Sequence, residues 1–242
     1  MNARTKKNQK LFLDIETVAQ SPAYRLLPDD IKKLWDHKAS HIRTSANGGN
    51  VDNDTLYERK AGIYAEFAKI ICISTTHVYN HEGKEYVDKR SFASKDEESI
   101  LTNFADFLNN DFKTLTSAKI IGHNIREFDI PFIARRMIVK GVNLPKALSI
   151  SGKKPWQVEF LEDTMNLWKF GDFKNYTSLN LLAKILNVPS PKEALEGCKI
   201  HNAFWLYNDL DAIKEYCELD VLTTAMIYYK LKQKIPPKDL IE

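Results

Sequence analysis

A chain of 242 residues with 43% apolar content supports one sizeable α/β core, and no break in composition marks a second domain. A formal net charge of +3 is too small an excess for binding nucleic acid by electrostatics alone, so the choice of partner rests on local motifs. The absence of an apolar run of about eighteen residues, and of a charged-then-apolar leader, argues against a membrane span and a secretory signal.

In chain order, residues 1–9 read as a basic tail, 10–235 as one domain and 236–242 as a second tail. The first strand is Lys10-Leu-Phe-Leu-Asp-Ile-Glu16, whose alternation puts Phe12, Asp14 and Glu16 on one face and Leu11, Leu13 and Ile15 on the other. At roughly 4 Å two like charges repel by about 4 kcal/mol at an effective dielectric of 20, so two carboxylates pointing the same way call for a cation or a proton. Taken alone, the motif also suits a solvated strand face. Residues 17–66 form an insertion with helices expected over 28–37 and 54–66. Its loop Thr44-Ser-Ala-Asn-Gly-Gly-Asn-Val-Asp-Asn53 reads as mobile and as lining the entrance of a substrate groove. Strands follow over 68–79 and 84–92, then a helix over 95–110 whose Ser94-Lys-Asp-Glu97 start has capping-box spacing.

A strand over 118–122 leads into His123-Asn-Ile-Arg-Glu-Phe128-Asp129 and a helix over 129–140, with Pro131 in its first turn and Gly141 at its end. Asp129 sits at the junction, where alone it reads equally as a helix N-cap. His123 reads as a hydrogen-bonded histidine at a strand end. The remaining histidines are read as lacking metal-motif company, so zinc is not expected. Basic residues follow at Arg135-Arg136, Lys140, Lys146, Lys153-Lys154 with Trp156, and 169–174. They are either ordinary solvated surface or, if they flank the acids, phosphate contacts with Trp156 or Phe170 as stacking faces. A strand over 157–163 ends on Asp163, a carboxylate either beside a metal centre or on the surface. Helices are expected over 178–186, 201–207 and 209–233. In the last, Tyr216 and Asp220 share a face at i and i+4, while Ile213, Cys217, Val221 and Leu222 look like core. A Tyr-x-x-x-Asp pair taken singly is usually an exposed helix face. Cys72, Cys198 and Cys217 are too far apart for a zinc ribbon and read as reduced core thiols of a cytoplasmic protein.

Together Asp14, Glu16, Asp129, Asp220 and Tyr216 resemble the tyrosine branch of the DEDD exonuclease superfamily. Asn124-x-x-x-Phe128-Asp129 matches that group's second motif, and Glu215 stands where the histidine branch carries its histidine. The stretches 61–74, Asp163-Thr-Met-Asn-Leu-Trp-Lys-Phe-Gly-Asp172, Ser178-Leu-Asn-Leu-Leu-Ala183 and Val188-Pro-Ser-Pro-Lys192 are similar to a stand-alone family of predicted 3′–5′ exonucleases. That family is related to the proofreading domain of family-B DNA polymerases, and the similarity runs from Leu11 to about Leu231.

The resemblance implies an α/β, ribonuclease-H-like fold with a mixed five-stranded sheet flanked by helices, and a free-standing exonuclease domain. It implies two divalent cations, Mg²⁺ or Mn²⁺ because the ligands are hard oxygens, with Asp14 touching both, Glu16 and Asp220 completing one shell, and Asp129 holding the other. Tyr216 would orient the attacking water, since an unperturbed phenol with a pKa near 10 is a poor base. Thr17, Asn124 and Phe128 would contact the substrate, and Asp163, by its place at a strand end, would stand either behind the metals or on the surface. The implied partner is a nucleic acid with a free 3′ end. DNA is favoured by the polymerase-like second motif; RNA-trimming members of the branch use the same five residues. A non-catalytic nucleic-acid-binding module is disfavoured because none of the four acids is missing.

Overall fold

The computed structural model describes residues 7–45, 51–112, 118–172, 176–189 and 197–241. Outside them lie most of the N-terminal tail, residues 46–50 of the loop expected to be mobile, residues 173 and 174 of the last basic cluster, residues 190–192 of the Val188 motif and the side chain of Cys198.

Strand β1 (Lys7–Ala19) is the centre of one five-stranded sheet ordered β3–β2–β1–β4–β5. β2 (Ala68–His81) and β3 (Lys84–Ala93) add antiparallel on one side, joined by Glu82 and Gly83, both at positive φ as a tight hairpin turn demands. β4 (Ala118–Gly122) and β5 (Leu161–Asp163) add parallel on the other side. The mixed sheet is the one expected.

The alternation of β1 divides the molecule. Leu11, Leu13 and Ile15 pack into the main core with α3 (Glu97–Asp111) and α4 (Asp129–Lys140). Phe12, on the opposite face, packs against Val221, Ala225 and Tyr228 of α8 (Leu210–Leu231). Asp14 and Glu16 follow Phe12 on that face, so α8 is the helix laid across the acids. The ladder slips beside them: Glu16 pairs with Cys72 but Thr17 pairs with Ile70, which leaves Ile71 as an extra residue. The bulge turns Ile71 and Cys72 to the α8 side, while Ile70 and Ile73 stay in the main core.

The insertion forms a small lobe with α1 (Asp29–Ser45) and α2 (Asn53–Lys60), packed around Trp35 and Tyr57, whose ring centroids stand 5.2 Å apart. α2 stops at Lys60, short of the expected 66, because Ala61–Ile63 tightens into a 3₁₀ turn. The remaining helices are α5 (Thr164–Lys169), α6 (Leu179–Ile185), α7 (Gly197–Trp205) and α9 (Lys238–Ile241). Among the described residues no helix is long and apolar enough to cross a membrane.

Two local expectations need correction. The strand over 157–163 shrinks to three residues, since Pro155–Gln157 is a 3₁₀ turn. α5 follows directly, and its N-cap Asp163 accepts from Met165 N at 2.9 Å. The capping box at 94–97 is not formed either: Asp96 is the N-cap, and Glu97 is committed elsewhere.

Glu97 and Arg136 form a buried pair, 4% and 2% exposed. The carboxylate accepts from Arg136 Nε at 2.8 Å, from Arg136 Nη2 at 2.6 Å and from Ile70 N at 2.8 Å, while Arg136 Nη1 donates to Ala65 O at 2.8 Å. One ion pair thus ties β2, α3 and α4 together. Glu97→Ala is expected to destabilise the fold by about 3–5 kcal/mol, because it strands a buried guanidinium, and the double substitution Glu97→Leu with Arg136→Met is expected to cost less. Denaturant midpoints of the two variants check this; equal losses would mean that the stranded charge is not the cause.

Candidate active site

Each acid reaches the site from a different element, and each element is held by a local device. Asp14 and Glu16 come from the middle of β1. Asp129 is the first residue of α4, 3% exposed, reached through a turn in which Asn124 O accepts from Glu127 N and Phe128 N. That turn starts at Gly122, where a Cβ would stand 2.7 Å from Ile125 Cβ, so only glycine lets the chain fold back so closely. Asn124 takes a left-handed φ of 61°, a conformation asparagine tolerates. At the far end of α4, Gly141 at φ 69° supplies the expected cap.

Asp163 organises the turn from beneath. It is 3% exposed and accepts from Asn124 N at 3.0 Å, Arg126 N at 3.3 Å and Met165 N at 2.9 Å. The surface alternative for this residue is therefore excluded. His123 bridges Thr164 Oγ1 at 2.9 Å and Thr177 O at 2.8 Å, as a hydrogen-bonded strand-end histidine should, and burial holds its pKa below the ordinary value.

Tyr216 and Asp220 arrive one turn apart on α8. The Tyr216 phenol lies beside Asp220, and burial followed by the charges of Asp220, Glu16 and Asp14 pushes it well above its usual range. It is half-buried and packs beside Val18, Ile71 and Cys72, so it is neither a free surface phenol nor a fully enclosed core ring.

The electrostatics show that the four acids converge. Asp14 is raised well above the usual carboxylate range by desolvation and then by Asp129, Asp220 and Glu16. Glu16 is raised by desolvation first, with Asp220, Cys72 and Asp129 adding to it. Burial lifts Asp129 to about 7, opposed by its own N–H and that of Ile15, and lifts Asp220 to about 6, opposed by Tyr216. No lysine or arginine among the described residues pairs with any of the four. Asp220 is 8% exposed, and its Oδ1 is buried without a hydrogen-bond partner. An orphaned carboxylate oxygen inside a cluster of crowded acids is what a divalent cation would satisfy, and the donor set of hard oxygens fits one.

The sequence reading missed one neighbour. Cys217, taken as a core thiol, is indeed buried, but its Sγ lies 3.5 Å from Asp14 O and 3.7 Å from Asp14 Oδ2. The ligand atoms of Asp14, Glu16 and Cys217 all lie within 4.8 Å of one another. The available signal was its place between Tyr216 and Asp220.

Other expected contacts are redistributed. The Thr17 hydroxyl donates to Gly62 O at 2.7 Å, tying the insertion to β1. Asn124 Oδ1 is buried without a partner, and Phe128 is partly buried against Phe132, with ring centroids 5.3 Å apart. Arg136 is no phosphate contact, being buried on Glu97. Trp156 does not flank the acids: it lines a cavity with Gln9 and Ala118, at the opposite end of the sheet. Phe170 is 85% exposed at the end of α5. His37 and His41 are an exception to the histidine reading, for they stand four apart on α1 with rings 4.7 Å apart. No third His, Cys, Asp or Glu completes a set with them among the described residues.

A free-acid expectation follows from these shifts. Raised carboxylate pKa values mean that these acids bind protons more tightly in the folded, metal-free chain than in the unfolded one, so their contribution to stability is present at low pH and is lost as pH rises through about 6 to 7. The metal-free protein is expected to gain on the order of 1–3 kcal/mol from pH 8 to pH 5.5, and Asp14→Asn to melt no lower than wild type at pH 8 in chelator. Mn²⁺ is expected to stabilise wild type far more than Asp14→Asn. Melting curves at the two pH values check both; equal Mn²⁺ shifts would place the metal elsewhere.

A mixed sheet with its first strand central, carrying acids opposite an acid-bearing last long helix, defines a ribonuclease-H-like α/β domain with a carboxylate centre. The chain belongs to the family of predicted 3′–5′ exonucleases related to the exonuclease domain of PolB, whose model matches residues 63–235. The matched span holds Asp129, Tyr216 and Asp220 and begins after Asp14 and Glu16; the fold brings the two sets together. Among solved structures, the family B DNA polymerase of the hyperthermophilic archaeon Pyrobaculum calidifontis is similar, with a TM-score of 0.50 and 16% identity. The likeness covers 92% of this chain and 24% of the polymerase chain, and at that identity it shows the fold alone. No curated protein matches the chain.

Proposed function

We propose that this chain is a metal-dependent 3′–5′ exonuclease that trims single-stranded or frayed DNA ends to nucleoside 5′-monophosphates. The reading is carried by the convergence of Asp14, Glu16, Asp129 and Asp220, which have no lysine or arginine partner among the described residues, with the orphaned Asp220 oxygen among them. Asp14 would be shared by two divalent ions, Mg²⁺ or Mn²⁺, with Glu16 and Asp220 on one and Asp129 on the other, supplying charge stabilisation at the attacking and leaving oxygens. Tyr216, held neutral by its surroundings, is suited to donate a hydrogen bond and position the attacking water rather than to remove its proton. Phe128 offers a partly exposed ring beside Asp129 for the terminal base, and Asp163 fixes the backbone of Asn124 and Arg126 around it. DNA is chosen over RNA because the family is related to the PolB exonuclease domain.

A 5′-labelled single strand is expected to shorten stepwise from its 3′ end in Mg²⁺ or Mn²⁺ and to persist in chelator. Duplexes with unpaired 3′ tails are expected to be cut faster than blunt ones, and closed circles to survive. Matched oligonucleotide digestions test this. Chelator-resistant turnover, or rapid cutting of blunt duplex beside slow cutting of single strands, would sink the reading, and faster shortening of RNA would reassign the sugar preference.

A further inference from the structure

At the end of the sheet where β1 and β4 begin lies a cavity of about 630 Å³, lined among others by Lys10, Lys119, Lys234, Trp156 and Glu159. This volume falls within the roughly 300–1,000 Å³ typical of small-molecule sites. Gln9, also in its wall, is five residues before Asp14 (14 − 9), about 17 Å along a strand. The cavity is therefore separate from the acids.

Its charge is unbalanced. Three lysines face one lining carboxylate, Glu159. Glu162 is already shared by Lys119 at 3.5 Å and Lys232 at 2.8 Å, and Lys234 has no ion pair among the described residues. Lys10 is half-buried with its ammonium 5.5 Å from the centre of the Tyr229 ring. Burial holds it below the ordinary lysine range, Glu85 opposes this, and the like charge of Lys234 adds to it. Beside these cations Trp156 is 65% exposed, and Lys154 stands 5.0 Å from its ring centre, so the indole already serves as a face for a cation. Ammonium groups for a phosphate next to an open aromatic plane for a base are the two parts that surfaces for unpaired nucleotides combine.

We infer that this cavity is a second nucleotide site, which stacks a base on Trp156 and holds its phosphate among Lys10, Lys119 and Lys234. The ligand chemistry, a base joined to a phosphate, has two sources: a free nucleoside monophosphate or a distal nucleotide of a strand. Its assignment rests on the cavity and stands whether or not the acids cut nucleic acid.

The test reads fluorescence anisotropy of a labelled oligothymidylate in chelator, with dAMP and inorganic phosphate as competitors, on wild type, Trp156→Ala and Lys234→Glu. Both side chains are exposed, so melting temperatures are expected to match wild type. Each variant is expected to weaken binding by about tenfold or more, the size of one lost stacked base or phosphate contact. Competition by dAMP identifies a free nucleotide as the ligand; competition by longer strands alone identifies a distal strand segment. Unchanged affinity in both variants, or phosphate competing as well as dAMP, overturns the site. Hydrolysis of a dinucleotide, too short to reach the cavity from the acids, is expected to be unchanged by Trp156→Ala, and a large loss would merge the two sites and overturn the inference. Absent dinucleotide turnover in wild type with binding intact would instead count against the exonuclease reading alone.

Discussion

Asp14→Ala and Asp220→Ala are each expected to lower exonuclease turnover by at least about 10⁴-fold, because each removes an oxygen donor that no other side chain replaces. Asp14 is flanked by three other acids that raise its pKa, so its loss relieves crowding and is not expected to unfold the chain. Asp220 has one oxygen without a partner, and the donor that its removal affects, the Tyr216 hydroxyl, belongs to a side chain that is only half-buried. Both variants should therefore melt near wild type in chelator and lose the Mn²⁺-induced shift. Single-turnover digestion and calorimetric Mn²⁺ titration check the two halves separately. Full turnover in either variant would remove these acids from the reaction.

Tyr216→Phe is expected to keep Mn²⁺ binding while lowering turnover by about 10² to 10⁴, the range for losing a positioned proton-handling group. A further sign is specific to the geometry. The Tyr216 hydrogen bond opposes the burial that raises Asp220, so deleting the hydroxyl pushes that carboxyl above about 6. Protons compete with metal for a carboxylate, so the pH at which Mn²⁺ binding is half lost is expected to move upward in Tyr216→Phe. An unchanged rate would reduce Tyr216 to a packing residue, which its half-buried position beside Val18 and Ile71 would also permit.

What could be read from the sequence is what depends on neighbours in the chain. The two-residue period of β1 placed Asp14 and Glu16 on one face, and the i, i+4 spacing placed Tyr216 and Asp220 together. Gly141 announced the end of α4 because a left-handed cap needs no distant partner. What could not be read depends on distant partners. Glu97 looked like half of a capping box, yet a guanidinium 39 residues away claims it. Val158 to Phe160 looked like strand because Val158 and Phe160 flank Glu159 in a two-residue alternation, a pattern too short to tell strand from loop. Cys217 looked like filler until α8 was laid across β1. Trp156 followed the second acidic motif in sequence, yet the return from α4 to β5 carries it to the other end of the sheet.

The central place of β1 has a consequence for the making of the protein. Asp14 and Asp220 are 206 residues apart (220 − 14), and the strand that carries the first acids is the one on which both halves of the sheet assemble. At about 5–20 residues per second, a ribosome takes on the order of ten to forty seconds to supply α8 after β1 has been made. Throughout that time a nascent chain carries Asp14 and Glu16 without Tyr216 or Asp220. The four acids thus come together only when α8 docks, and truncated translation products ending before α8 are born without the complete set.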